Sequence, residues 1–177
     1  MREDRPGGKA GDGAAVPPDG DSSAAGAARR HAEAAHRIAR FLHAHAAAPG
    51  RVAVLPLGPL RQAAILRKAT GQDATGFTLV LENGTLRHTL RHHGDPRTEA
   101  RRGQAAVTEA DFALLPALLH EPDSVRAGEP TRRGTNTAVF AKRIGRIAYT
   151  VVVDLRPTAR QIAFKTMFKR PIQDKGR

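Results

Sequence analysis

At 177 residues the chain is long enough for one domain of ordinary size plus an extension, and its lack of cysteine excludes both a disulfide scaffold and a thiolate zinc site. It contains no run of about 18 apolar residues and no apolar core near its start, so the sequence predicts neither a membrane span nor a classical export signal. Formal charge is +12, and from residue 132 onward twelve Lys or Arg stand against two Asp, a local net of +10 that suits a phosphate-bearing partner.

Residues 1–26 are Gly, Ala, Pro, Asp and Ser with almost no large apolar side chain, and read as a disordered leader. Residues 27–50 read as a helix or linker, Ala-rich and ended by Pro49-Gly50. His31, His36, His43 and His45 lie there without carboxylates at matching spacing, which favours solvated histidines over a metal site. "RVAVLPL" (51–57) reads as a strand, and residues 58–71 as a helix with Pro59 in its first turn and Gly71 just past its end. "FTLVLE" (77–82) is a second strand, followed by a histidine-rich helix that Gly94 and Pro96 close.

In residues 107–125, Thr108 reads as an N-cap, acids fill the first turn, and Leu114, Leu115, Leu118 and Leu119 follow at helical spacing until Pro116 splits the segment into two short helices. The remainder changes period: strands at 135–142, 146–155 and 160–168 are joined by short turns at Gly145 and Pro157, which predicts an antiparallel meander. Helices first and strands last imply an α+β domain with helices on one face of an antiparallel sheet.

The chemistry concentrates in "RHTLRHHGD" (87–95). His88 and His92, four apart, share a helical face and have a spacing that can hold a metal, but Glu99, Glu109, Asp111 and His120 complete no recognised ligand pattern, so no metal is expected. Proton transfer is the alternative: the negative end of a helix dipole favours imidazolium, while Arg87, Arg91, Arg101 and Arg102 oppose it and offer phosphate contacts. A charged helix end with incidental histidines explains the same residues.

Thr166 interrupts the apolar alternation Ile162, Phe164, Phe168 and is flanked by Lys165, Lys169 and Arg170, although a β-branched residue suits a strand in any case. Lys142 and Tyr149 make a similar case. Metal-free RNA cleavage needs a base, an acid and cations or hydroxyls on the phosphate, which such residues supply. Glycine-rich phosphate loops and zinc-finger spacings are missing, and with 4% aromatics base-stacking platforms are scarce.

"LENGTLRHTLRHHGD", "RRGQAAVTEADFALLPALLHEPDSV", "FAKRIGRIAYTVVVDLR" and "QIAFKTMFKR", in that order, resemble the phage-type barnase/EndoU/colicin/RelE-like nuclease domains over about residues 52–170. The resemblance implies N-terminal helices packed on a C-terminal antiparallel sheet of about four strands. Residues 51–171 become the nuclease-like domain and 172–177 a basic tail. It further implies a metal-independent endoribonuclease without a cofactor, acting as a toxin or effector on tRNA or ribosomal RNA in the cytoplasm, its own or that of a target cell. An immunity or antitoxin protein is the partner such an effector implies, and no membrane partner is expected.

The family's Arg-His pair falls on Arg87 and His88, its His-Gly on His93 and Gly94, its hairpin cation on Lys142 and its last-strand Thr on Thr166; Glu99 also has a counterpart, and Phe168 stands where the family commonly has Tyr. The expected catalytic set is therefore His88, His93, Thr166 and Lys142, with Arg87, Arg91, Arg102, Glu99, Tyr149, Lys165 and Lys169 binding substrate. A noncatalytic basic module that docks on nucleic acid or an acidic partner is the alternative.

Overall fold

The computed structural model describes residues 23–45 and 51–172. Most of the predicted leader, the helix stop at Pro49-Gly50 and all but Ile172 of the basic tail lie outside the described residues. The first helix, α1 (Ala24–His45), starts within the stretch read as leader. It is no linker: Ile38 is wholly buried and Phe41 nearly so, in the same core as the rest of the domain. These residues, with Leu42 beside them, are the three- and four-residue neighbours of one helical face, so a polar, Ala-rich helix docks through a narrow apolar stripe.

Six strands follow: β1 (Val54–Pro59), β2 (Thr78–Glu82), β3 (Ser124–Ala127), β4 (Thr137–Ile144), β5 (Ile147–Arg156) and β6 (Gln161–Pro171). They form one sheet in the order β1-β2-β6-β5-β4-β3, antiparallel throughout except between β2 and β6. The α+β class and the β4-β5-β6 meander are as expected, but an antiparallel sheet of about four strands is corrected to a mixed sheet of six. The parallel β2–β6 pairing joins segments some eighty residues apart, and no local pattern encodes it. β3 is four residues on a sheet edge, too short to show an alternation.

The helix expected over 58–71 is shorter, α2 (Ala63–Thr70), because Gly58 and Pro59 pair with β2. Proline is tolerated there because β1 is an edge strand. Gly71 ends α2 in the left-handed region, φ 74, returning its N–H to Arg67. The histidine helix is α3 (Asn83–His93), followed by α4 (Pro96–Arg101), α5 (Glu109–Phe112) and α6 (Leu115–His120). Thr108 caps α5 in a reciprocal box with Asp111, and Pro116 sits in the first turn of α6, where its missing N–H costs nothing.

One face of the sheet is covered. Tyr149, Val151, Val153 and Leu155 of β5 are buried with residues of α1, α2, α5 and α6, whereas Ala148, Thr150 and Val152 alternate onto a face over which no described helix lies. A bulge at Lys165 shifts the β5–β6 register, Val152 facing Thr166 and Val153 facing Phe164. Ile162 and Phe164 thus enter the core, and Thr166, Phe168 and Arg170 pass to the open face. The apparent alternation through Thr166 and Phe168 spans two faces. No helix among the described residues is long and apolar enough to cross a membrane.

α1 meets α6 at a pair of imidazoles, His31 stacked on His120 with ring centroids 6.3 Å apart. Burial, then Arg61 and His31, pull the His120 pKa down to about 4 from 6.5. Below pH 6.5 the unfolded chain therefore takes up a proton that the folded one refuses, and stability falls until pH reaches about 4. Urea unfolding at pH 7.5 and 4.5 is expected to show His120→Gln escaping roughly 2 to 3 kcal/mol of the acid loss suffered by the native chain.

Candidate active site

β2 pairs with β6 only over Thr78–Val80 and Gln161–Ala163, after which the chain turns into α3, which packs along the rest of β6. Two sides of α3 result. Leu86, Arg87 and Leu90 face α1, and Arg87 Nη1 donates to the His45 carbonyl at 3.4 Å. At 100° per residue Thr85, His88, Thr89 and His92 lie away from α1, where the Thr89 hydroxyl is 3.4 Å from that of Thr166. Thr89 commits its proton to the Thr85 carbonyl at 2.9 Å, so the Thr166 hydroxyl can donate either to Thr89 or outward.

His88 and His92 are exposed, their rings 4.2 Å apart, and no three His, Asp or Glu side chains among the described residues group as metal ligands. Desolvation, then His92, Arg91 and His93, lower the His88 pKa. Burial is the largest of these causes, and the neighbouring charges act in the same direction. Arg91 is exposed in the last turn of the helix.

His93 differs from its neighbours. It lies 140° around the helix from His88, and its side chain is only 19% exposed. Nδ1 is 3.2 Å from Oε2 of Glu99, a carboxylate with no exposed surface, and Arg102 Nη1 donates to the other oxygen at 2.7 Å. A carboxylate only accepts, so Nδ1 carries the proton and Nε2 is the nitrogen left for chemistry. Arg102 also reaches the His92 carbonyl at 3.3 Å, and Asp95 caps α4 through the Thr98 N–H at 2.7 Å. The turn between α3 and α4 thereby holds the carboxylate under the ring.

Gly94 makes that turn possible. Its φ of −95 is open to any residue, but a Cβ there would lie 2.2 Å from the Leu90 carbonyl oxygen, far inside van der Waals contact. Gly94→Ala is expected to cost about 1–3 kcal/mol in urea unfolding, as an overpacking substitution at a rigid contact.

The segment after α4 staples the site to the sheet: Ala105 N–H donates to the Lys169 carbonyl at 2.9 Å and Val107 N–H to that of His93 at 2.6 Å. On the covered face the Lys169 ammonium is 2.6 Å from Asp111, which also accepts from Tyr149 at 2.9 Å and from the Thr108 backbone at 2.7 Å and hydroxyl at 2.9 Å. Burial alone raises the Asp111 pKa, but hydrogen bonds from Lys169, Thr108 and Tyr149 outweigh it and hold the carboxyl below its usual range. Burial, then Asp111, push Tyr149 up to about 12.

Several expected substrate contacts are therefore corrected. Glu99 and Tyr149 are buried, Glu99 against His93 and Tyr149 against Asp111. Lys169 is an internal ion pair, 14% exposed. Lys142 lies opposite Tyr149 on the covered face, two strands from β6, and its ammonium donates to the Glu121 carbonyl. Lys165, the bulge residue, sits 3.3 Å from Asp154.

What the fold does gather is His93, Glu99 and Arg102 at the edge of the open face beside Thr166, Phe168 and Arg170. The His93 and Phe168 rings are 6.0 Å apart, and the Arg170 guanidinium is 5.9 Å from the Phe168 centroid. Register places Arg126 and Arg143 on the same face, both exposed. Thr89 and the structural role of Asp111 escaped the sequence reading; the capping spacing from Thr108 to Asp111 was the one available hint.

No curated protein and no solved structure matches this chain. Residues 61–175 match the family model described as phage-Barnase-EndoU-ColicinE5/D-RelE like nuclease 3. With α2, the whole histidine turn and five of the six strands inside that match, the chain belongs to this nuclease family, and α1 and β1 precede the matched segment.

Proposed function

We propose that the chain is an endoribonuclease that cleaves RNA by transesterification without a metal, and that it acts as a toxin or effector on tRNA or ribosomal RNA. The observation that carries the reading is the His93–Glu99 pair, a buried carboxylate orienting an imidazole at the rim of an open cationic sheet face. His93 Nε2 takes the 2′-hydroxyl proton as the 2′-oxygen attacks phosphorus. The Glu99 carboxylate stabilises the imidazolium that forms. The 5′-oxygen leaves with a proton, and the products are a 2′,3′-cyclic phosphate and a 5′-hydroxyl. His88, the second imidazole of the helix, gives the leaving 5′-oxygen its proton from the side of α3 turned away from α1, while Thr166, Arg102 and Arg170 hold the non-bridging oxygens. An acidic immunity or antitoxin protein would cover this face.

Incubation of the protein with total tRNA and ribosomal RNA in EDTA is expected to give fragments with cyclic-phosphate ends, and expression is expected to be toxic. Intact RNA at every protein concentration would overturn the reading. Steeply salt-dependent binding without cleavage would instead identify a noncatalytic basic module.

A further inference from the structure

All six Phe and the single Tyr are described, and there is no Trp. Phe41, Phe77, Phe112, Phe140, Phe164 and Tyr149 are buried in the core. Phe168 alone is only partly buried. The bulge at Lys165 puts it on the open face, since an unbroken alternation would have returned this residue to the covered face with Ile162 and Phe164. Beside the ring stand His93 at 6.0 Å and the Arg170 guanidinium at 5.9 Å, both planar groups.

We propose that Phe168 is a stacking platform for an unpaired base next to the scissile phosphate, so that the site selects single-stranded RNA. This rests on the RNA-cleaving reading of the same site. A planar aromatic ring on a cationic sheet offers its face to a base only if that base has left its helix, because a paired base presents its edges and keeps its faces covered by neighbours. Arg170 extends the platform and neutralises the backbone passing it. His93 at the rim then meets the ribose attached to the stacked base. A solitary platform without base-edge hydrogen bonds favours unpaired nucleotides over paired ones and discriminates weakly among bases.

The absence of native Trp supplies the reporter. Phe168→Trp is titrated with a 2′-O-methyl oligoribonucleotide, which lacks the nucleophile and stays intact, once unpaired and once annealed to its complement. Ile65→Trp, at an exposed position on α2, is the control. The unpaired strand is expected to quench Phe168→Trp emission and leave the control unchanged. Phe168→Leu, with melting unchanged, is expected to bind the unpaired strand roughly tenfold more weakly, the loss falling in KM more than in kcat if RNA is cleaved. Equal quenching by the duplex, no quenching, or native affinity in Phe168→Leu would overturn the proposal. Quenching with no RNA cleavage by the native chain would instead remove the ribonuclease reading and leave the platform standing.

Discussion

His93→Ala is expected to lower the RNA cleavage rate by about 10²–10⁴ while leaving far-UV circular dichroism intact, the usual cost of removing a positioned acid–base group. Its ring is 19% exposed, and although the bond to Glu99 is lost, the substitution leaves in place the Val107 N–H donating to the residue 93 carbonyl and Arg102 donating to Glu99. Glu99→Gln separates orientation from charge. The amide oxygen still accepts from Nδ1 but does not stabilise an imidazolium, so kcat is expected to fall with little change in KM. Native rates in His93→Ala would move the acid–base role elsewhere, and His88→Ala in parallel says whether it moved along the helix. Single-turnover cleavage of labelled RNA at saturating protein measures each.

The largest stability effect is expected at Asp111. Asp111 and Lys169 are 7% and 14% exposed, and the same carboxylate holds Tyr149 and the N-terminus of α5. Asp111→Ala leaves an ammonium buried without its counter-ion and removes the capping box. A loss of about 3–5 kcal/mol in urea unfolding is expected. Asp111→Ala combined with Lys169→Met is expected to recover part of it, because the uncompensated charge is then gone. A loss below about 1 kcal/mol in the single variant would show the pair to be dispensable, and Lys169 would return as a candidate phosphate ligand.

Lys169 and Lys142 illustrate what sequence reading mistakes. In one dimension both are cations beside a Thr or in a basic hairpin, indistinguishable from phosphate ligands. Whether such a side chain meets solvent depends on its face, and on β6 the face depends on one inserted residue. Reading Ile162, Phe164, Thr166 and Phe168 as a single stripe was sound for a regular strand. The bulge at Lys165 carried Thr166 and Phe168 to the open face and turned Lys169 inward. A bulge leaves no signature in composition, since it is selected by pairing with β5.

The histidine turn was more legible. Its helix, its stop at Gly94 and the split at Pro116 follow from local propensity and sterics, which act within a few residues. The meander follows likewise, because its turns are too short for any pairing but the antiparallel one. The family resemblance placed the fold class and marked both His93 and Glu99. It did not reveal that Glu99 is the partner of His93, or that His88 turns to His92 instead.

Local sequence sets every helix but the short α4, the C-terminal strands, the cationic excess and the turn that carries His93. These depend on periodicity, capping and charge, all properties of neighbouring residues. Long-range packing decides which cations face outward, that α3 lies along β6 in place of a strand, and that a buried Glu99 meets His93 beside a half-buried Phe168. Those outcomes are set by strand register and by a parallel crossover between distant segments, and burial of the core stabilises them only once the whole sheet has formed.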